Sequence, residues 1–140
     1  MLYFAYGSNL NRKQMKRRCK DSLIKKKTTL KNYQLTFRSK YGAADIDKKK
    51  NSKVYGAVYE ISKSDEKRLD LYEEYPNLYK KKFFRYNNKL AMFYIMEKKS
   101  KRTPPTARYL KTIKQGYKDW KINVRSLNAA LLTLKYPQQK

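Results

Sequence analysis

YFAYGSNL, residues 3–10, carries the strongest structural signal of this 140-residue chain. Residues 2–6 are mostly apolar and predict a short strand, and a helix is predicted to begin by Asn11. The glycine turn between them feeds a helix start, where several backbone N–H groups lack partners. Such groups attract a carboxylate or a developing oxyanion, so the turn predicts an anion-binding site.

Hydrophobic periodicity and turn residues predict the other elements on either side of this turn. Helices are expected at 11–19, from Ser62 or Ser64 to about Glu74, at 106–120 and at 126–134; strands at 2–6, 30–38, 41–46, 54–61, 79–86 and 90–96; and an exposed charged loop at 48–52. Many short strands with a few helices predict an α+β fold. We expect a mixed sheet curled into a small barrel with flanking helices, as one domain over residues 1–140.

Two amino-acid types restrict the chemistry. Histidine is absent, which excludes Ser-His-Asp and Cys-His catalysis and most zinc sites, so no metal or cofactor is predicted. A general base at neutral pH must then be a carboxylate, a shifted lysine or a tyrosine. Cys19 is the single cysteine, which excludes an internal disulfide. With no leader and no membrane-spanning run recognised, we expect a cytoplasmic protein.

The net charge is +25, from 36 Lys and Arg against 11 Asp and Glu. Lysine runs are scattered along the chain, at 25–27, 48–50, 80–82 and 98–99. Two interpretations remain open: a solvated basic surface that reflects composition bias, or a nucleic-acid-binding surface. The excess of lysine over arginine favours the solvated surface, because phosphate clamps usually use arginine forks. Weak, salt-sensitive adhesion to polyanions is expected in either case.

Few of the eleven carboxylates are candidates for a general base. Asp65 and Glu66 are explained by the first turn of a helix. Five others lie in or beside lysine-rich segments and are predicted to be solvated: Asp21, Asp45, Asp47, Glu97 and Asp119. Glu60 lies near a strand end, which leaves Asp70, Glu73 and Glu74. Glu73 lies four residues after Leu69, so it is expected at the edge of a core-facing stripe, where burial raises a carboxyl pKa; Asp70 and Glu74 are expected on an adjoining stripe. Spacing alone leaves open that this is a solvated acidic face.

The ordered set of motifs resembles the gamma-glutamylcyclotransferase family, also called AIG2-like. The N-terminal match is residues 4–10, followed by Met15 and Arg18-Cys19. Further segments that resemble the family are Leu30, Tyr33, Leu35 and Phe37; residues 42–46; residues 54–61; residues 69–73 with Tyr79; and residues 104–110 with Ile113 and Gly116. The resemblance spans nearly the whole chain.

The resemblance implies an enzyme that releases 5-oxoproline from small gamma-glutamyl compounds without a cofactor. By position, the family's catalytic glutamate falls on Glu73. Its substrate loop falls on Tyr6, Gly7, Ser8, Asn9 and Leu10. Tyr79 and Tyr109 are expected to line the pocket with Tyr6. The role of Asn9 stays open: its side chain caps the helix or contacts substrate. Ser8 is assigned to binding rather than to nucleophilic attack, since without histidine it has no evident base.

Glu74 departs from the family, which usually has glycine after the catalytic glutamate. A second acid there is expected to repel a negative substrate or to raise the pKa of Glu73, unless it points to solvent. The segment 121–125 also lacks the family's usual Leu-Pro pair.

Three functions from different classes therefore compete. The chain is a gamma-glutamyl cyclotransferase for a dipeptide or amine, an enzyme that trims a gamma-glutamyl group from a larger acceptor, or a catalytically idle module that binds an anion or nucleic acid. A monomer and a homodimer are both compatible with the sequence, and no membrane association is expected.

Overall fold

The computed structural model describes residues 1–135, so residues 136–140 of the predicted domain lie outside the described residues. The elements, in chain order, are β1 (Leu2–Ala5), a 3-10 helix (Ser8–Leu10), α1 (Arg12–Arg18), β2 (Leu23–Arg38), β3 (Ala43–Glu60), α2 (Lys63–Tyr72), β4 (Tyr79–Tyr86), β5 (Lys89–Met96), α3 (Ala107–Asp119) and α4 (Arg125–Lys135). None of the helices in this part of the chain is long and apolar enough to cross a membrane.

The five strands form one mixed sheet in the order β2-β3-β1-β5-β4. Strand β1 lies in the middle, antiparallel to β3 and parallel to β5. The predicted α+β class is therefore confirmed. The sheet is not closed, since β2 and β4 are its two edges within residues 1–135, so the barrel is not formed.

The longest strands form a hairpin that differs from the predicted elements. The two strands predicted at 41–46 and 54–61 are parts of one strand, β3, which pairs with β2 from Glu60 back to Ala43. The predicted loop at 48–52 is wrong, because these residues do not separate two strands but lie within β3. Residues 49–52 form a bulge opposite Asn32, where the N–H of Asn51 donates to Asn32 Oδ1 at 3.2 Å. Both asparagines have left-handed backbones, with φ of 67° and 68°, which lets the ladder resume beyond the bulge.

Close backbone packing fixes the turn that follows β1. Gly116 of α3 lies against the 3-10 helix, and a Cβ atom at this position would meet the Leu10 Cβ at 2.6 Å. The indole N–H of Trp120 donates to the Leu10 carbonyl at 2.9 Å, and the Tyr59 hydroxyl donates to the Asn9 carbonyl at 2.8 Å. Helix α3 and strand β3 therefore hold residues 7–10 in one position.

A buried ionic cluster contradicts the prediction that Asp45 and Asp47 are solvated. The Asp45 side chain is completely buried and accepts hydrogen bonds from Arg38, from Lys99 at 3.0 Å and from the Met96 N–H at 2.9 Å. Asp47 accepts two hydrogen bonds from Arg38, at 2.9 and 3.0 Å. The prediction failed because Arg38 and Asp45 lie on neighbouring strands, a pairing that lysine-rich local sequence does not reveal.

Candidate active site

A cavity of about 310 Å³ opens beside the turn after β1. Most of its wall is aromatic: Tyr3, Phe4, Tyr6, Tyr41, Tyr72, Tyr79, Tyr94 and Tyr109. Glu73 and the backbone of Gly7, Ser8 and Asn9 also line it. The cavity therefore brings together a carboxyl group and a glycine turn that are far apart in the sequence.

Glu73 ends α2 as its C-cap residue, and its N–H donates to the Leu69 carbonyl at 2.8 Å. Glu73 is half-buried, and the burial of its carboxyl group raises the pKa from an ordinary 4.5 to about 8, although the positive charge of Arg18 opposes the shift. Within residues 1–135, no hydrogen bond or ion pair of the protein uses this carboxyl group. A carboxyl group with these properties can exchange protons near neutral pH.

Arg18, the last residue of α1, lies behind the cavity wall. Its guanidinium carbon lies 3.3 Å from the centre of the Tyr72 ring, and its Nη1 donates to Asn9 Oδ1. The sequence placed Arg18 within a family motif but gave it no role, because the direction of a side chain at a helix end depends on its tertiary neighbours. Its charge favours the ionised form of Glu73.

The turn supplies fewer free N–H groups than the sequence predicts. The Leu10 N–H donates to the Gly7 carbonyl at 3.1 Å, and the Leu10 side chain is fully buried in the core. Leu10 is therefore corrected from a substrate-contacting residue to a core residue. The N–H groups of Gly7, Ser8 and Asn9 have no hydrogen bond to another described residue. These three residues line the cavity.

The polar side chains of the turn bind the protein itself. Asn11, not Asn9, caps α1, since its Oδ1 accepts from the Gln14 N–H at 3.0 Å. The Asn9 Nδ2 instead donates to the Tyr3 hydroxyl at 3.0 Å. Ser8 Oγ lies 3.0 Å from the Tyr72 hydroxyl. These contacts orient two side chains of the cavity wall, Tyr3 and Tyr72, around Glu73.

The three tyrosines named from the sequence all line the cavity. The Tyr79 hydroxyl donates to the Ala44 carbonyl at 2.5 Å, and the Tyr109 hydroxyl accepts from the Ala44 N–H at 3.0 Å. The Tyr6 hydroxyl donates to the Tyr94 carbonyl at 2.7 Å. Burial raises the pKa of all three hydroxyls well above 10, so they stay neutral near pH 8.

Glu74 occupies a position that normally takes glycine. Its backbone is left-handed, with a φ of 51°. Its N–H donates to the Leu71 carbonyl, and the Tyr75 N–H donates to the Asp70 carbonyl, the two hydrogen bonds of a Schellman motif that ends α2. The side chain is exposed, and Glu74 is not among the charges that shift the pKa of Glu73. The family's glycine is thus explained by backbone geometry.

Replacing Glu74 with glycine is expected to stabilise the protein by about 0.5–1 kcal/mol. Relief of the left-handed strain, about 1–2 kcal/mol, is partly offset by the greater freedom of glycine in the unfolded chain. Urea unfolding at pH 7 measures the change. Glu74→Ala is the matched control, because it removes the charge and keeps the strain; an equal gain in this variant would contradict the explanation.

The family described as "Gamma-glutamyl cyclotransferase, AIG2-like" matches residues 3–121. The chain belongs to this family. The match includes Glu73 and the whole turn after β1, and every residue that lines the cavity lies within the matched range. No curated protein matches the sequence.

Several solved structures share the fold. A protein named Gamma-glutamyl cyclotransferase superimposes with a TM-score of 0.74 at 24% identity, covering 100% of this chain and 89% of that chain. An uncharacterized protein from Homo sapiens has a TM-score of 0.73 at 25% identity, covering 99% and 88%. YkqA from Bacillus subtilis has a TM-score of 0.75 at 19% identity, covering 100% of this chain but 56% of its own.

Proposed function

We propose that the protein is a gamma-glutamyl cyclotransferase that releases 5-oxoproline from a gamma-glutamyl amine or dipeptide. The observation that carries this proposal is that Glu73 lines a tyrosine-rich cavity and makes no side-chain hydrogen bond or ion pair with another described residue; burial there raises its pKa to about 8. The turn at Gly7 to Asn9 lies on the wall of the same cavity and has N–H groups available to an anion. A base and an anion site in one pocket are what an internal acyl transfer requires.

The first step forms the lactam bond. Glu73 takes a proton from the substrate's α-ammonium group, and the freed amine nitrogen attacks the γ-carbonyl carbon of the same molecule. Because both reacting groups belong to one substrate, the enzyme has to bend the substrate rather than bring two molecules together. The aromatic wall suits this task, since it offers rigid rings whose neutral hydroxyls are already bonded to the protein.

The second step breaks the original amide bond. When the amine attacks, the carbonyl oxygen becomes an oxyanion. The N–H groups of the turn either stabilise this oxyanion or hold the substrate's α-carboxylate. After the attack the ring nitrogen still carries one proton more than the lactam needs. Glu73 gives its first proton to the leaving nitrogen, the carbonyl re-forms and the C–N bond to the amine breaks; the ionised Glu73 then takes the second proton from the ring nitrogen and passes it to the departing amine. The products are 5-oxoproline and the amine in its ammonium form, with no proton gained or lost by the enzyme.

The direct test is a panel of substrates incubated with the purified protein, with 5-oxoproline measured by mass spectrometry. The panel contains gamma-glutamyl dipeptides, gamma-glutamyl amines, and a gamma-glutamyl group attached to lysine side chains of a protein. Release from the small compounds supports the proposal, and release from the protein alone would identify a trimming enzyme instead. A folded protein that releases 5-oxoproline from none of them would refute cyclotransferase activity on these classes.

We expect kcat/KM to rise with pH, with an apparent pKa near 8. Burial raises the pKa of Glu73, so the ionised base accumulates only as the pH approaches that value. Arg18→Gln removes the positive charge that opposes the raised pKa of Glu73, so the rise of kcat/KM in this variant is expected at higher pH than in the wild type. Arg18→Lys retains the charge, so its rise is expected closer to that of the wild type. Initial rates between pH 5 and 9 measure this rise in each protein. An acid limb near pH 4–5 in the wild type would contradict a buried base.

A further inference from the structure

Five exposed lysines lie in and beside the bulge of β3. We define the lysine bulge as Lys31, Lys48, Lys49, Lys50 and Lys53, all of which are exposed. Lys31 and Lys53 stand directly opposite each other in the β2–β3 ladder. Like charges in this arrangement destabilise a sheet, so the bulge carries an electrostatic cost that a bound anion would relieve.

No carboxylate of the described residues neutralises the lysine bulge. The ion pairs found within residues 1–135 include none of its five lysines. The nearest acid along β3, Asp47, is already bound by Arg38 and Arg102. Within residues 1–135, the positive charge of the bulge is therefore not compensated by any ion pair.

A second cavity, of about 280 Å³, lies between this bulge and α4. Lys49 and Lys53 line it together with neutral polar side chains and small apolar ones. The buried Oγ atom of Ser126 lies on its wall, beside Tyr117. The Tyr55 ring also lines it, with Lys53 Nζ 5.4 Å from the ring centre. This cleft shares no wall residue with the cavity that contains Glu73.

The two features together favour one kind of occupant. Lysines act as point charges and bind phosphates without reading sequence. A cleft with an aromatic edge, whose other lining side chains apart from Lys49 and Lys53 are neutral, can take a base, but only from a strand whose bases are unpaired. We propose that the lysine bulge and the adjoining cleft bind single-stranded nucleic acid, with phosphates on the lysines and a base in the cleft.

The test measures binding of fluorescent 12-nucleotide RNA and DNA strands by anisotropy between 50 and 200 mM salt. The variant Lys49→Gln/Lys50→Gln/Lys53→Gln removes three charges from the bulge. The control Lys111→Gln/Lys114→Gln/Lys118→Gln removes three exposed lysines of α3 that form no ion pair with the described residues. We expect the bulge variant to bind at least about tenfold more weakly and to lower the slope of log K against log salt by about 2. The control is expected to stay within about twofold of the wild type.

A second variant tests the cleft without changing the charge. Ala129 is exposed and lines the cleft, so Ala129→Trp is expected to fill it while the protein still folds. We expect this variant to weaken binding by about fivefold to about 140-fold at an unchanged salt slope, since stacking of one base contributes about 1–3 kcal/mol and about 1.4 kcal/mol is tenfold. Thermal unfolding of each variant verifies that it is folded.

Three outcomes would overturn the proposal. Equal weakening by the two lysine variants would mean that the net charge of the whole molecule, not this surface, attracts the strand. Equal affinity for a duplex of the same length, or for poly-glutamate at the same charge concentration, would mean that unpaired bases are not recognised. Unchanged binding by Ala129→Trp would remove the cleft from the site.

Discussion

Glu73→Gln is expected to lower kcat by about 10²–10⁴, with a smaller change in KM. The amide keeps the shape of the side chain but cannot take a proton from the substrate amine, and general-base catalysis contributes a factor of this size. The change in KM is smaller because only one group of the substrate, the α-ammonium group, is expected to lose an ionic contact with the enzyme. Steady-state release of 5-oxoproline measures both constants.

The matched control is Glu97→Gln, which removes an exposed carboxylate that has only a long contact of 3.9 Å to Lys80. It should turn over at the wild-type rate. A Glu73→Gln variant that retains more than a tenth of the wild-type kcat would assign the base to another group.

Stability distinguishes loss of the base from loss of the fold. Burial raises the pKa of Glu73 in the folded protein, so folding takes up a proton between about pH 4.5 and 8, and stability falls as the pH rises through this window. Glu73→Gln has no carboxyl group to ionise and escapes this loss. We expect the variant to exceed the wild type by about 2–4 kcal/mol in unfolding free energy at pH 9, and to match it more closely at pH 5.

The sequence predicted the parts of the site that depend on local order. The strand-turn-helix around Gly7 and the acid at the end of α2 follow from turn residues, caps and periodicity. It did not predict that the Leu10 N–H is used within the turn, because one 3-10 hydrogen bond replaces an open helix end. The contact between Arg18 and Tyr72 on the cavity wall was also missed, since these residues meet only when α1 packs against α2.

Much of the fold was predictable because it also depends on local sequence order, and the errors in the predicted elements have a common physical cause. The strand ranges 2–6, 79–86 and 90–96 agree closely with β1, β4 and β5. The strands predicted for β2 and β3 are shorter than the observed ones. A lysine-rich segment with left-handed asparagines is typical of a loop, whereas here it is a bulge, because β3 pairs with β2 on both sides of it. Asp45 was misassigned because its partners come from β2 and from beyond β5.

Asp45→Ala is expected to destabilise the protein by about 3–5 kcal/mol. The Asp45 side chain is 0% exposed and the Arg38 side chain 4%, so removing the carboxylate leaves a buried guanidinium with only part of its compensation. The Met96 N–H also loses its acceptor. Burial opposes ionisation of the neighbouring Asp47, but hydrogen bonds from Arg38 and Arg102 lower its pKa, so one negative charge of the cluster remains.

Urea unfolding at pH 7 measures this loss, with Glu97→Ala as the control for an exposed carboxylate, expected to change stability by less than about 1 kcal/mol. Asp45 adjoins Ala44, whose N–H and carbonyl hold the Tyr109 and Tyr79 hydroxyls on the cavity wall. The same variant is therefore expected to raise KM at temperatures where it remains folded. A loss below about 1 kcal/mol would mean that water enters and solvates Arg38, and that the cluster does not support the cavity wall.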